Sequence, residues 1–204
     1  MFKKLPLGKF ETNCYIIADD ASKEAAVIDP ADDFPKIKQF IEEHDLKVKY
    51  ILLTHAHGDH ILALPEIKAY SKAPIGLNSG DEDMLMNAAI NMSGQFTRHP
   101  VESKADFYLK DGDTLELGSN KVSIIHTPGH TKGGTCILFE KELMAGDTLF
   151  ARGIGRTDFY GGDYDTLINS IITKLFILPE DTNVHPGHGS STTILREKHN
   201  NPFI

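Results

Sequence analysis

Short apolar runs recur along the chain, separated by polar stretches rich in Asp, Gly and Pro. Residues 13–18 and 25–28 are apolar, with Asp19-Asp20-Ala21-Ser22-Lys23 between them, which predicts a β-hairpin. It closes at Asp29-Pro30, because proline cannot donate to a strand ladder. A helix is expected from Asp32-Asp33, with Pro35 in its first turn and Ile37, Phe40 and Ile41 on its buried face. The continuous apolar run over 48–53 reads as a buried strand. A helix from about Asp59 then carries Ile61, Leu64, Ile67 and Ala69, and Pro65 limits how far back it extends.

Residues 73–77 read as a short strand. Residues 81–90 read as a helix capped by Ser79, with Met84, Leu85, Met86 and Ile90 in the core. Residues 91–105 lack periodicity and read as a loop near a site. Strands follow at 107–109, 114–117 and 121–125, then a hairpin over 135–139 and 142–144. The last clear helix is expected over 163–176, and no repeat, low-complexity tract or linker interrupts the chain. This order fits a layered α/β protein. The 204 residues are enough for one domain spanning 1–204.

A net charge of −8 argues against nucleic acid as the main partner, since phosphate binding needs clustered Lys and Arg. No apolar run approaches the ~18 residues of a membrane helix. Lys3 and Lys4 precede no long apolar segment, so neither a membrane span nor a signal peptide is expected. Cys14 and Cys136 are the only cysteines. They suggest inert core positions and a reducing cytoplasm. The sequence carries no signature of an oligomeric state.

Candidate chemistry concentrates in Thr54-His55-Ala56-His57-Gly58-Asp59-His60, where the 48–53 strand ends. Mixed nitrogen and oxygen donors without thiolate suit zinc, iron or manganese. In an extended loop His55, His57 and Asp59 share one side, and His60 points elsewhere. One segment can thus feed two neighbouring metals. A polar loop that merely happens to hold histidines is the weaker reading, because such donors bury poorly unless ligated.

The H-x-H-x-D-H pattern resembles the metallo-β-lactamase superfamily. Thr127-Pro128-Gly129-His130-Thr131, Ala145-Gly146-Asp147-Thr148 and Pro186-Gly187-His188-Gly189 follow in the order and contexts of that family's remaining ligands. The resemblance implies an α/β fold, an αβ/βα sandwich of two mixed sheets with outer helices and the metals at one edge. It implies that His55, His57 and His130 hold one metal, that Asp59, His60 and His188 hold a second, and that Asp147 bridges them. Two metals about 3.5 Å apart clamp a water and lower its pKa toward ~7. Asp59 and Asp147 are then the catalytic carboxylates, and the cofactor is two metal ions, zinc foremost, with iron or manganese as alternatives. Aspartate at position 147 speaks against the lactamase subclass with a thiolate on its second metal. Asp29 is a candidate to orient an imidazole through its free N–H, or it is simply the turn residue before Pro30. His126 and His185 read as core or supporting residues, and His44, His99 and His199 as surface.

Gly153-Ile154-Gly155-Arg156-Thr157-Asp158-Phe159-Tyr160-Gly161-Gly162-Asp163 looks like the glyoxalase II (hydroxyacylglutathione hydrolase) branch. His185-Pro186-Gly187-His188-Gly189, Thr192-Thr193 and Asn201-Pro202-Phe203 match it too. That branch implies hydrolysis of a small-molecule thioester such as S-D-lactoylglutathione, by a hydroxide between the metals and without a protein nucleophile. Arg156 aligns with a basic residue that helps bind glutathione, or ties its loop to Asp158. Tyr160 either flanks the substrate or packs. The helical region that carries much of the glutathione site in full-length glyoxalase II has no counterpart after His188, as in the short bacterial type. The alternative is a persulfide dioxygenase with a single iron, which shares the 155–159 run. A non-catalytic metal-binding scaffold or flavin partner is the third reading, and an unbroken ligand set speaks against it.

Overall fold

Alternation along one strand divides the molecule into layers. In the computed structural model, which describes residues 1–204, strand β2 (Thr12–Ala18) is fully buried. Cys14, Ile16 and Ala18 face one hydrophobic core, and Tyr15 and Ile17 face another. Strand β3 (Glu24–Ile28) divides in the same way, with Ala25 and Val27 on the first side and Ala26 and Ile28 on the second. Such two-sided burial is what a strand inside a layered α/β protein requires.

The first sheet runs β1 (Phe2–Leu7), β2, β3, β4 (Lys47–Leu52), β5 (Ile75–Leu77) and β6 (Phe107–Tyr108). Its outer face packs on helices α1 (Phe34–Glu43) and α2 (Leu64–Ser71) through Ile37, Ile41, Leu64 and Ile67. The second sheet contains β7 (Thr114–Leu117), β8 (Asn120–His126), β9 (Thr135–Phe139) and β10 (Glu142–Gly146). A small hairpin of β11 (Leu149–Phe150) and β12 (Gly153–Ile154) follows β10. Strands β13 (Asn183–Pro186) and β14 (Thr192–Thr193) complete the second sheet. Tyr15, Ile28 and Leu52 meet Val122, Ile137, Phe139 and Met144 between the sheets. A third core lies outside the second sheet, where Leu167, Ile171 and Ile194 cover Cys136, Leu143 and Ala145. The fold is the expected α/β sandwich of two mixed sheets with outer helices. No helix is long and apolar enough to cross a membrane.

Several expectations need correction. The N-terminal residues form β1, pairing Lys4 with Tyr15, and Pro6 is tolerated there because β1 is an edge strand. The helix expected from Asp59 is a 3₁₀ turn over Gly58–His60, and α2 starts only at Leu64. Leu62 and Ala63 spend their N–H groups on Ala31 and Pro30, which holds the chain off the helical path. The helix expected over 81–90 is confined to α3 (Glu82–Leu85). Asn78, not Ser79, caps the preceding turn, and the Asn87 side chain takes the N–H groups of Ala89 and Ile90. Met86, expected in the core, is 43% exposed. The irregular 91–105 stretch holds one short helix, α4 (Ser93–Phe96). Helix α5 (Tyr164–Ser170) continues as a wider turn over Ile171–Leu175, and it is not the last helix. Helix α6 (Ile194–Asn200) follows, capped by Thr193.

Candidate metal centre

Strands β10 and β13 are parallel, and β8 is antiparallel to β9, which is antiparallel to β10. β8, β10 and β13 therefore end at one edge of the second sheet. His130 follows β8, Asp147 follows β10 and His188 follows β13. Thr135 N–H donates to Thr54 O, tying the loop after β4 to the second sheet. All seven expected donors meet at this edge.

They fall into two overlapping groups. The ligating atoms of His55, His57 and His130 lie within 4.8 Å of one another, and so do those of Asp59, His60 and His188. His57 Nδ1 lies 3.0 Å from His130 Nε2. His188 Nε2 lies 3.1 Å from Asp59 Oδ2. Asp147 sits between the groups, with Oδ1 3.4 Å from His60 Nε2 and Oδ2 3.7 Å from His130 Nε2. His60 does not point away as alternation predicts. The 3₁₀ turn replaces the extended backbone and brings its ring to 4.2 Å from that of His55.

Most of the imidazoles are aimed by their Nδ1 atoms. His60 Nδ1 bonds Asp29 Oδ2 at 2.9 Å, and His130 Nδ1 bonds the Arg156 carbonyl at 2.7 Å. His188 Nδ1 reaches the Phe10 carbonyl, and His55 Nδ1 the Thr54 hydroxyl. That hydroxyl donates to Asp29 Oδ2 at 2.6 Å. Such contacts fix tautomer and ring angle in metal sites. The remaining buried atoms, His55 Nε2, His57 Nε2, His60 Nε2 and Asp147 Oδ1, have no hydrogen-bond partner. Orphaned buried polar atoms are rare and costly. Of these, His60 Nε2 and Asp147 Oδ1 lie 3.4 Å apart among residues grouped closely enough to hold a cation, and the nitrogen and oxygen donors fit a borderline or hard divalent ion.

Charge agrees with this. Burial, reinforced by nearby His130, takes His57 down to about 3. Burial also holds His55 well below its ordinary value, aided by His60 and His130. Both are therefore neutral, with free lone pairs, at pH 7. Burial opposes charge on His60 too, but Asp59, Asp147 and Asp29 outweigh it and raise its pKa well above the usual. Burial works against the Asp147 carboxylate, yet His60 and His130 hold it below the ordinary range. The carboxylate side of the cluster, at His60, thus favours positive charge, while the His55–His57 side offers neutral imidazoles.

Some residues that build the site carried no signal in the sequence. Buried Asp81 accepts from Ala56 N–H, Thr131 Oγ and Gly133 N–H, and so joins the loops of His55 and His130. Burial raises its pKa despite those bonds. Thr12 Oγ donates to Asp59 Oδ2 at 3.3 Å. Asn13 Nδ2 donates to the carbonyls of Pro186 and Gly189, holding both ends of the His188 loop. A Cβ at Gly187 would lie 2.1 Å from Asp147 Oδ1, so only glycine lets that loop approach.

A cavity of about 610 Å³ opens over the cluster, reached by His57, Asp59, His130, Asp147 and His188. Arg156 lines it but forks onto Asp158 at 2.9 and 2.7 Å. Tyr160 does not line it; its hydroxyl donates to Asp83 and its ring lies under Lys132. His185 bonds Glu142 and Ser191 away from the cluster, and His126 reaches the Lys132 carbonyl.

Similarity to known proteins runs along nearly the whole chain. The chain is 39% identical to the hydroxyacylglutathione hydrolase GloC of Haemophilus influenzae, over 98% of this chain and 96% of that one. It is 38% identical to the probable metallo-hydrolase YqgX of Bacillus subtilis, over 100% and 97%. Among solved structures it is similar to the BLEG-1 B3 metallo-beta-lactamase, with TM-score 0.93, 39% identity and coverage of 100% and 99%. It is also similar to ETHE1 from Myxococcus xanthus, with TM-score 0.84, 30% identity and coverage of 99% and 83%. A di-iron-bound form of TTHA1623 gives TM-score 0.87 at 29% identity, with coverage of 99% and 100%. The metallo-beta-lactamase superfamily profile matches residues 7–193. With that match over nearly the whole chain and a histidine cluster able to hold metal, the protein belongs to the metallo-beta-lactamase superfamily.

Proposed function

We propose that the protein is a metal-dependent thioester hydrolase of the short glyoxalase II type. The observation that carries this reading is the set of four buried donor atoms left without partners beneath an open cavity. His55, His57 and His130 would hold one ion and Asp59, His60 and His188 a second, with Asp147 lying between the two groups. A pair of divalent ions so held, zinc foremost, would supply an acidified water and polarise a carbonyl. Asp29, the Thr54 hydroxyl and the Arg156 carbonyl fix the imidazoles before substrate arrives. Asp59, held by Thr12 Oγ and reached from the cavity, is positioned to take the proton that the attacking water gives up. No serine, cysteine or lysine lines the cavity, which supports water as the nucleophile.

The glyoxalase-type relative supports a thioester as substrate. The direct test is hydrolysis of S-D-lactoylglutathione by zinc-loaded protein. Activity should vanish with chelator and return with zinc, and Asp59→Ala should lose more than about 100-fold. The competing reading, a persulfide dioxygenase on a single iron, leaves the Asp59–His188 pair without work. One iron per chain, with oxygen consumed in the presence of a glutathione persulfide, would replace the hydrolase reading.

A further inference from the structure

The walls of the cavity differ in chemistry from its floor. They carry six apolar side chains, among them Phe10, Met92, Phe96, Phe150 and Phe159. These walls are braced. Gly58 N–H donates to the Asn91 carbonyl at 2.6 Å, linking the metal loop to the 91–96 segment. Asn91 is fully buried, and its side chain bonds Met84 O, Val101 O and Ser93 N–H. A Cβ at Gly58 would lie 2.6 Å from Ser93 N, so the two segments touch through backbone. Met92 holds φ at 66°, in the left-handed region, where a long side chain is rare. Strain of this kind persists where the surroundings dictate it, and it clusters at ligand sites. Phe10 and Phe96 pack edge to face with centroids 4.7 Å apart.

Arg156, the one lysine or arginine that lines the cavity, already has an anionic partner. Arg156 gives Nε and Nη2 to Asp158, and its guanidinium lies 4.2 Å from the Phe159 ring centroid. Lys9 Nζ donates to the Phe96 carbonyl and lies over the Phe10 and Phe96 rings. Glutathione brings two carboxylates and one ammonium. A carboxylate binds tightly where an unpaired guanidinium meets it with both prongs. Here the fork is filled from within the chain.

We infer that the thiol half of the substrate is selected by apolar contact with the Phe10, Met92, Phe96 and Phe159 wall. Thioesters of a neutral, apolar thiol are then better substrates than those of glutathione. This rests on the thioester reading above and goes beyond it in naming the class of thiol. Asp158 adds a smaller contribution, because it competes with a substrate carboxylate for the Arg156 guanidinium.

The test holds the acyl group constant. Zinc-loaded protein is assayed with the S-D-lactoyl thioesters of glutathione, N-acetylcysteamine and benzyl mercaptan, all of them alkyl thiols. The benzyl thioester should show kcat/KM at least about ten-fold above that of glutathione, the gain available from burying one apolar ring. Phe96→Ala should narrow that ratio. Asp158→Asn, which frees Arg156, should raise kcat/KM for the glutathione thioester by about two- to five-fold, since an exposed ion pair is weak. A second reading uses metal-free protein, where calorimetry should find benzyl methyl sulfide bound more tightly than S-methylglutathione. Hydrolysis led by the glutathione thioester, with a ratio unmoved by Phe96→Ala, overturns this inference and leaves the thioester reading standing. Turnover of none of the three by zinc-loaded protein overturns both.

Discussion

Asp29 shows how much a single carboxylate organises. Its Oδ1 accepts from Thr54 N–H at 2.8 Å, and its Oδ2 accepts from the Thr54 hydroxyl and meets His60 Nδ1. Replacing it with asparagine puts a donor where one acceptor must serve both Thr54 and His60. Asp29→Asn should weaken metal binding by about 10- to 100-fold, as changes behind a ligating imidazole do. A competition titration against a chromophoric chelator checks this. Asp81→Ala strands three buried donors, those of Ala56, Thr131 and Gly133. It should cost about 2–4 kcal/mol, read as a lowered urea midpoint. The dense His55–His60 cluster was legible from the residues themselves, whereas His130, Asp147 and His188 stood out only through the resemblance of their contexts to a known family. Asp81 was not legible in either way, since it lies far along the chain from both loops that it joins. Nor were the Arg156 and Phe10 carbonyls, because a backbone acceptor leaves no mark on residue type.

At the scale of elements, buried strands were the most legible, since alternation and apolar runs report burial directly. Edge pieces were not. β1 contains two lysines and a proline, and α6 buries only Ile194 and Glu197. Glu197 nonetheless bonds Arg152 N–H, Thr192 Oγ and Asn201 Nδ2, pinning α6 to the β11–β12 turn. Asp19 joins turns from the two sheets. It accepts from Ser22 N–H, Ser119 Oγ and Asn120 Nδ2. These bonds, that of Ser22 first, hold its pKa at about 2 against an ordinary 3.8. A carboxyl whose pKa is lowered on folding stabilises the fold above its unfolded value and loses that effect as pH falls through the folded one. The Tm gap between wild type and Asp19→Asn should therefore be full at pH 7, shrink below about pH 4 and close near pH 2. Scanning calorimetry across that range checks it.

Across the whole molecule, the metal centre is a seam. His55, His57, Asp59 and His60 follow β4 of the first sheet, while His130, Asp147 and His188 follow strands of the second. A cation held by both groups ties one sheet to the other. Ligand bound only to the folded state stabilises it by mass action, about 4 kcal/mol when free metal exceeds its Kd by a thousand. Zinc should therefore raise Tm by several degrees and chelator should lower it, in proportion to the logarithm of free metal.

The account turns on two sites that share Asp147. Elemental analysis of zinc-saturated protein after removal of loose metal tests this most directly, alongside Asp59→Ala. The account predicts two zinc ions per chain in the wild type and one in the variant. A single zinc in the wild type at saturation, or two retained in Asp59→Ala, would contradict it.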